Sequence, residues 1–349
     1  MADQGSAFRA TPGDYTKAYD TLQFLLGAVE AEALSSVNAR SPSDTIPLAI
    51  IAGFLGAGKT TLMRRLLTAN HGLRIAAVVN DFADLNIDAS LVSAVSDDTL
   101  ALANGCICCS QSGGALRVLT TISKRPMPPD LILLEASGIA DPWALGQLSA
   151  MLPGIRLDCI TTVVDGSAVS VDHAVDYLRD RQLSAADLVL LNKMDLVDPG
   201  DANTVVAEIE RAAPRSGIIR TTDCAVPYQV VFDAMNGARA AVGDAGEADF
   251  GDEKFCAHQF VTEQAVDRAA LEQILDEMPA GILRAKGFVR LRDDADRPMV
   301  LQLVGRRWRW EAAPPQSERP SRLVVIGLRH AFDDDTIASA FSRTGLMQV

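Results

Sequence analysis

Short continuous runs of apolar residues alternate with helical patterns, in which apolar residues recur every three or four positions, over roughly the first two thirds of the chain. The runs lie at residues 48–52, 75–79, 131–134, 159–164, 188–191 and 218–219. A strand that is apolar at successive positions is covered on both faces, which is typical of a parallel sheet flanked by helices. The pattern therefore predicts an α/β fold with a wound, mostly parallel sheet.

The pattern changes after residue 254, where strand-like runs follow one another with short turns between them. Strands in a row with few helices indicate a small α+β domain. At the other end of the chain, residues 14–34 have helical spacing and lie outside the α/β pattern. The predicted division is an N-terminal helical extension and linker (1–44), an α/β domain (45–240), an acidic linker (241–254) and a C-terminal α+β domain (255–349).

The charge of the chain restricts its partners. Its 349 residues include 32 Lys and Arg against 45 Asp and Glu, a net charge of -13. This charge repels a nucleic-acid backbone and an anionic lipid surface. The sequence has no apolar run of the roughly 18 residues that cross a bilayer and does not begin with a secretory leader pattern. We therefore expect a cytoplasmic protein that binds neither nucleic acid nor membrane.

A phosphate-binding loop is predicted between the first strand and the helix after it. The segment from Gly53 to Thr60 has the spacing Gly, four residues, Gly-Lys-Thr. Its backbone N–H groups can face phosphates, Lys59 can neutralise them, and the Thr60 hydroxyl can bind Mg²⁺. A glycine turn without a ligand is the alternative, which the strand and helix on either side disfavour. The candidate nucleotide ligands here are Gly53, Gly56, Ala57, Gly58, Lys59, Thr60 and Thr61.

An acidic residue, Glu135, ends the apolar run at 131–134. A carboxylate at the end of a strand near a phosphate-binding loop can complete the Mg²⁺ shell or orient water. A solvated acid at a strand end is the alternative. We predict that Glu135 acts on the nucleotide and, with Thr60, holds magnesium.

The sequence Asn192-Lys193-Met194-Asp195 follows the apolar run at 188–191. A carboxylate at Asp195 can accept hydrogen bonds from two donors on the edge of guanine, whereas adenine has no such donor pair on that edge. A helix cap in an ordinary loop is the alternative. The motif therefore predicts that Asn192, Lys193 and Asp195 bind the guanine nucleotide.

Three of the six cysteines, Cys106, Cys108 and Cys109, lie within four residues. Thiolates that close repel one another unless a cation joins them, and soft sulfur ligands select zinc, copper(I) or cobalt. Zinc is the first choice for such ligands, and three of them leave a fourth position open. Buried apolar cysteines and a redox pair remain alternatives, and a second metal pair at Cys256 and His258 is a weaker candidate.

Taken in order, the phosphate-binding loop, the Cys-x-Cys-Cys motif, Glu-x-x-Gly and Asn-Lys-x-Asp resemble the CobW-like family of P-loop GTPases, relatives of the nickel-insertion GTPases of urease and hydrogenase. The resemblance also covers the segments at 80–88, 284–288 and 304–308. It implies GTP hydrolysis coupled to delivery of zinc or cobalt, with Cys106, Cys108 and Cys109 as metal ligands. On this basis we expect the catalytic residues to be Lys59, Glu135 and Asp81.

The resemblance implies a GTP-hydrolysing metallochaperone that binds GTP, Mg²⁺ and Zn²⁺ or Co²⁺. Its partner would be a client metalloprotein, and a nucleotide- or metal-dependent homodimer is a further expectation. Two other functions remain open at this stage: a P-loop ATPase or kinase with structural cysteines, and a nucleotide-gated regulatory or interaction module. The sequence identifies neither the client nor the physiological metal.

Overall fold

The computed structural model describes residues 45–79, 100–101, 112–169, 176–232, 253–313, 320–329 and 331–349. The helix predicted at 14–34 and most of the acidic linker lie outside these residues. The boundaries assigned to the extension and the linker therefore stay predictions. In the part of the chain that is described, no helix is both long and apolar enough to cross a membrane.

The first domain is built on a parallel sheet of seven strands, in the order β3-β2-β4-β1-β5-β6-β7. Every described pair of neighbouring strands is parallel. This confirms the predicted α/β fold. The strands are β1 (Ile46–Gly53), β2 (Ile75–Val79), β3 (Leu100–Ala101), β4 (Leu131–Glu135), β5 (Ile155–Asp165), β6 (Leu188–Asn192) and β7 (Gly217–Arg220).

Helices cover both faces of this sheet, which explains why its strands are apolar at successive positions. On β1, Ala49 and Ile51 belong to one buried cluster, whereas Ile50 belongs to a second cluster on the other face. The first cluster includes Leu62 of α1, and the second includes Ile122 of α2. The helices are α1 (Lys59–Thr68), α2 (Ser112–Ser123), α3 (Pro142–Ala150), α4 (Asp176–Ala185), α5 (Ala202–Ala212) and the single turn α6 (Tyr228–Val231).

Strand β5 begins four residues before the apolar run that predicted it. The polar residues Arg156 and Asp158 interrupt the hydrophobic pattern there. Leu48 pairs with Leu157 and Ala49 pairs with Cys159, so Asp158 is an extra residue with no partner on β1. Such a bulge bends the strand and redirects a side chain. The sequence pattern missed this part of β5 because Asp158 is buried for a tertiary reason.

The second domain contains a six-stranded antiparallel sheet in the order β11-β10-β9-β12-β8-β13. Helices α7 (Arg268–Asp276) and α8 (Asp334–Ser342) share a buried cluster with it, which includes Phe260, Leu271 and Phe341. The predicted α+β domain is therefore confirmed. The strands are β8 (Phe255–Thr262), β9 (Ile282–Leu291), β10 (Asp294–Val304), β11 (Arg307–Ala312), β12 (Ser321–Leu328) and β13 (Met347–Gln348).

The two domains share a hydrophobic core. Leu283 and Phe255 of the second domain lie in the same buried cluster as Leu188 and Phe232 of the first. The turn between β10 and β11 also contacts the first domain, because the Arg306 N–H donates to the Arg215 carbonyl oxygen at 3.0 Å. Apolar contact and backbone hydrogen bonds together hold the second domain against one side of the parallel sheet.

Several ion pairs cross this contact. Arg284 of β9 lies 2.7 Å from Asp158, and Arg307 of β11 lies 3.3 Å from Asp187. Burial alone would raise the pKa of Asp158, but Arg284 and then Arg156 hold it well below its usual range. For Asp187, burial outweighs its partner Arg307 and raises the pKa to about 6. The Asp158 pair therefore stays ionised over the whole physiological range of pH.

A substitution at Gly305 tests the backbone contact between the domains. Its φ is +57°, and an added Cβ would lie 2.3 Å from the carbonyl oxygen of Asp187. We expect Gly305→Ala to lower the free energy of unfolding by about 3 kcal/mol, from backbone strain and overpacking together. Urea unfolding followed by circular dichroism measures this change.

Gly72→Ala is the matched control, because Gly72 also has a positive φ (+68°) but an added Cβ would meet nothing within 4 Å. It should cost only the conformational strain, about 1 kcal/mol. Equal losses in the two variants would contradict the close approach of the domains at Gly305.

Candidate functional site

The predicted phosphate-binding loop runs from the carboxyl end of β1 to the first turn of α1. Gly56 and Gly58 have φ values of +78° and +118°. A Cβ at Gly58 would lie 2.5 Å from the side-chain nitrogen of Asn192 and 2.9 Å from the sulfur of Cys224. Glycine is therefore required at this position both by the backbone angle and by the two side chains that pack on it.

Lys59 is the first residue of α1 and is buried at 7% exposure. Its Nζ donates to the carbonyl oxygen of Phe54, within the same loop, at 3.0 Å. Burial lowers the pKa of Lys59, and the nearby Glu135 carboxylate opposes that effect. A phosphate bound in the loop would add negative charge beside Nζ and raise the pKa again, so the buried lysine favours an anionic ligand.

Thr60 and Glu135 form the second part of the site. The Thr60 hydroxyl donates to a carboxylate oxygen of Glu135 at 3.3 Å. The contact follows from the parallel sheet, since Glu135 at the end of β4 is in register with Ile51 on β1, two residues before the loop. A hydroxyl and a buried carboxylate side by side are oxygen ligands of the kind that Mg²⁺ prefers.

The loop after Glu135 packs against the phosphate-binding loop, and hydrogen bonds from a side chain of α4 hold it in place. A Cβ at Gly138 would lie 2.9 Å from the backbone nitrogen of Leu55. The side-chain amide of Gln182, which is 1% exposed, donates to the carbonyl oxygens of Gly138 and Ala140. Sequence reasoning missed Gln182, because a glutamine in a polar helix has no local signal of this role.

Asn192 joins the phosphate-binding loop to the loop after β7. Its side-chain nitrogen donates to the Ala57 carbonyl oxygen at 2.9 Å, and its side-chain oxygen accepts from the Cys224 N–H at 2.9 Å. At 3% exposure, the amide has little access to water as a substitute partner. Asn192 therefore fixes the relative position of two loops that are far apart in sequence.

Lys193 and Asp195 extend from the same strand end. Lys193 has a left-handed backbone (φ 59°), and its Nζ lies 2.6 Å from the carboxylate of Asp165 at the end of β5. Burial tends to raise the pKa of Asp165, but the hydrogen bonds from Lys193 and Ser167 lower it overall. Asp195 is exposed in the short turn Met194–Leu196. The structure thus leaves the Asp195 carboxylate accessible to a ligand.

The loop of residues 221–225 lies directly against the phosphate-binding loop. The Cys224 thiol donates to the Gly58 carbonyl oxygen at 3.3 Å, and Arg65 of α1 donates to the Asp223 carbonyl oxygen at 2.6 Å. Asp223 and Cys224 both have left-handed backbones, with φ of 53° and 54°. Such residues cost about 1–3 kcal/mol each and persist only where their surroundings hold them. No local sequence pattern indicates that Cys224 belongs to the site.

Burial raises the pKa of the Cys224 thiol to about 12. At neutral pH the thiol therefore stays protonated and can donate its hydrogen bond to Gly58. A protonated, fully buried thiol is a poor nucleophile and a poor metal ligand. Cys224 therefore supports the shape of the site through its hydrogen bond to Gly58.

The remaining predicted site residues are Asp81, Cys106, Cys108 and Cys109, which all lie outside the described residues. Within the described part of the chain, no group of three His, Cys, Asp or Glu side chains is placed to hold a metal ion. Cys256 contacts the carbonyl oxygen of Gly327, and His258 lies between Gln348 and Asp334. The Cys256 and His258 pair thus has protein partners in this structure.

Comparison with known proteins gives matches to two families that together cover most of the chain. Residues 47–220 match the family described as "CobW/HypB/UreG, nucleotide-binding domain". Residues 255–344 match the family described as "Cobalamin synthesis protein cobW C-terminal domain". The first match covers the parallel sheet apart from Ile46, and the second covers strands β8 to β12 of the antiparallel sheet.

Three curated proteins are similar over most of their length. The zinc chaperone CobW of Sinorhizobium sp is 33% identical, over 87% of this chain and 98% of its own. The zinc chaperone CobW of Pseudomonas aeruginosa is 32% identical, over 81% of this chain and 87% of its own. The zinc chaperone YjiA of Escherichia coli (strain K12) is 28% identical, over 85% and 98%.

Asn192→Ala tests the junction between the two loops. The variant leaves the Ala57 carbonyl and the Cys224 N–H without their partner, and each lost buried hydrogen bond costs about 1–3 kcal/mol. We expect the free energy of unfolding to fall by about 2–4 kcal/mol, measured by urea denaturation. The matched control is Asn203→Ala, which removes an exposed hydrogen bond to Arg220 and should change stability by less than about 0.5 kcal/mol. Similar small effects in both variants would contradict the bridging role of Asn192.

Proposed function

Because this chain belongs to the CobW family of P-loop GTPases, we propose that it is a metallochaperone which uses GTP hydrolysis to deliver a transition metal, zinc first, to a client metalloprotein. The chain is a GTPase by its family. The observation that best supports the assignment is the hydrogen bond from Asn192 to the Ala57 carbonyl oxygen, which ties the strand end that carries Asp195 to the phosphate-binding loop. The relatives named above as zinc chaperones support the choice of cargo.

In this proposal the nucleotide lies along the carboxyl edge of the parallel sheet. The backbone N–H groups of residues 53–61 bind the phosphates, and Lys59 stabilises the charge on the β and γ oxygens. Asp195 accepts the two guanine donors, and Lys193 supports that side through its ion pair with Asp165. The buried position of Lys59, which favours an anionic ligand, supports this orientation.

Thr60 and Glu135 are the residues that would hold magnesium. Their oxygen atoms are already adjacent, at the edge of the phosphate-binding loop. Magnesium, when bound, neutralises charge on the phosphate oxygens during hydrolysis. Gln182 keeps the loop after Glu135 in place, so that the carboxylate stays at the edge of the phosphate site. Glu135 and Asp81 would orient the water that attacks the γ-phosphorus, and Lys59 would stabilise the negative charge that develops on the leaving GDP.

Zinc is the cargo rather than a resident cofactor, and Cys106, Cys108 and Cys109 are its proposed ligands. Three thiolates favour zinc and accept cobalt(II), and they leave one position open for a client's ligand. In the sequence, the cysteines lie between the segment at 81–88 and the strand that ends at Glu135. Bound GTP can therefore influence both ends of the segment that carries them. A client metalloprotein, and a homodimer that depends on nucleotide or metal, complete the proposal.

Asp195→Asn tests the choice of guanine. The amide can no longer accept from both guanine donors, but its NH₂ group can donate to O2 of xanthine. We expect GTP affinity to fall about 100-fold and XTP affinity to rise, measured by competition with a fluorescent GDP analogue. Asp198→Asn, three residues further on in the same exposed segment, should leave both affinities unchanged.

If Asp195→Asn keeps full GTP affinity, or if the parent protein binds ATP as tightly as GTP, the guanine assignment is wrong. The second result would favour a P-loop ATPase or kinase.

Metal and nucleotide affinities should be coupled. A chaperone that loads before hydrolysis and releases afterwards needs tighter metal binding with a GTP analogue than with GDP, because the γ-phosphate holds the ordered state. We expect a ratio of about 5- to 150-fold in zinc affinity, measured against a chromophoric chelator. Cobalt(II) titration should give a thiolate charge-transfer band in the same protein.

Replacement of Cys106, Cys108 and Cys109 by Ser should abolish that band, whereas Cys256→Ser, the control outside the cluster, should keep it. Equal zinc affinity in the two nucleotide states, or a cobalt spectrum unchanged in the triple variant, would leave a GTPase without a role in metal delivery.

A further inference from the structure

Arg284 is a buried arginine of the second domain that reaches into the first. It lies on β9 and is 4% exposed. One guanidinium nitrogen donates to the Asp158 carboxylate at 2.7 Å. Another lies 3.3 Å from the Val231 carbonyl oxygen and 3.5 Å from that of Val230. A single side chain therefore connects the second domain to two separate elements of the first.

Both of those elements are shaped to receive a cation. Asp158 is the extra residue of the β5 bulge, which directs its carboxylate to this contact. Val230 and Val231 end the single turn α6, where carbonyl groups have no partner inside the helix. A guanidinium group at a helix C-terminus satisfies such carbonyls and interacts favourably with the helix dipole. Arg284 is thus a cap for α6 that the second domain supplies.

Helix α6 is directly connected to the nucleotide site. It begins four residues after Cys224, in the chain segment that leaves the loop at 221–225. The Tyr228 ring of α6 stacks on Phe232, with ring centroids 5.6 Å apart. His71, three residues after the end of α1, contacts both rings edge-on and so holds α6 beside that end of α1. A displacement of α6 would therefore be transmitted to the loop at its N-terminal side.

The loop at 221–225 is sensitive to such a displacement, since two of its successive residues have left-handed backbones. At its start, Thr221 is hydrogen-bonded to the backbones of Leu191 and Met194, and further along Cys224 is held by Asn192 and by the Gly58 carbonyl oxygen. At the other end it continues into α6, which Arg284 caps. A strained backbone keeps its conformation only while both ends are restrained.

We propose that Arg284 is a positioning residue for the base side of the nucleotide site, through which the C-terminal domain sets the affinity for GTP. The inference rests on the proposed binding of guanine beside Asn192 and Asp195. It assigns regulation of that site to the second domain. By thermodynamic reciprocity, a client that binds the C-terminal domain and shifts β9 changes GTP affinity, and GTP changes client affinity by the same factor.

The ion pair between Arg307 and Asp187 also joins the two domains, and it provides a matched control. Arg307 lies 3.3 Å from Asp187 and donates to the carbonyl oxygens of Ser184 and Ala186, in the connection between α4 and β6. That connection is at the amino end of β6, whereas Asn192 is at its carboxyl end. Loss of Arg307 loosens the domain contact without releasing α6.

The test compares Arg284→Met, the double variant Arg284→Met with Asp158→Asn, and Arg307→Met. The double variant leaves no unpaired buried charge at position 158, which protects the fold where the single variant loses stability. For each protein we would measure kcat and KM for GTP, and inhibition by tripolyphosphate, which has phosphates but no base. Circular dichroism verifies that each variant is folded.

The proposal expects KM for GTP to rise at least about fivefold in the Arg284 variants, with kcat nearly unchanged. It also expects tripolyphosphate inhibition to be unchanged, and Arg307→Met to behave like the parent. Unchanged GTP affinity in a folded Arg284 variant overturns the proposal. Equal weakening of GTP and tripolyphosphate, or the same loss in Arg307→Met, overturns it too, because general loosening would then be the cause.

Asp195→Asn, measured in parallel, separates this inference from the function on which it rests. If Asp195→Asn weakens GTP binding but the Arg284 variants do not, only the role of Arg284 fails. If Asp195→Asn has no effect, the assignment of the base side fails first.

Discussion

The hydrogen bonds of the Asn192 amide are the contact on which the nucleotide site depends. In a parallel sheet the carboxyl ends of all strands meet at one edge, so β1 and β6, with β5 between them, bring the phosphate-binding loop and Asn192 together. The amide then satisfies a buried acceptor at Ala57 and a buried donor at Cys224. Either group would be costly if left without a partner, and the two loops therefore stabilise each other.

A second constraint is the buried ion pair between the domains. A buried carboxylate is unfavourable unless it is paired, and Asp158 is paired by arginines on both sides of the domain contact. Such a pair contributes little net stability compared with apolar packing, but it fixes which atoms must meet. The shared apolar core holds the domains together, while Arg284 and Asp158 set the position of one domain relative to the other.

The Asn192 hydrogen bonds and the Arg284 side chain hold the same stretch of chain, residues 221–231, at two different points. Asn192 restrains the loop at 221–225 from the phosphate side, and Arg284 caps α6 just beyond it. In the proposed function, the nucleotide state of the GTPase must change its affinity for the client metalloprotein. The C-terminal domain contacts the segment next to the base side through the shared apolar core and through Arg284. The proposed thiolate ligands lie in sequence between the phosphate-binding loop and Glu135. Nucleotide, metal and client would thus act on one connected set of restraints.

The sequence by itself determined the fold class and the position of the phosphate-binding loop in it. Continuous apolar runs require strands covered on both faces, and the spacing from Gly53 to Thr60 requires a loop between a strand and a helix, so both are local signals. It did not determine the early start of β5, because a charged residue such as Asp158 interrupts the apolar pattern and only its contact with Arg284 explains its burial. Nor did it indicate Cys224 or Gln182, since neither has a local pattern. Their roles come from neighbours more than 40 residues away in the chain, which only the tertiary structure brings into contact.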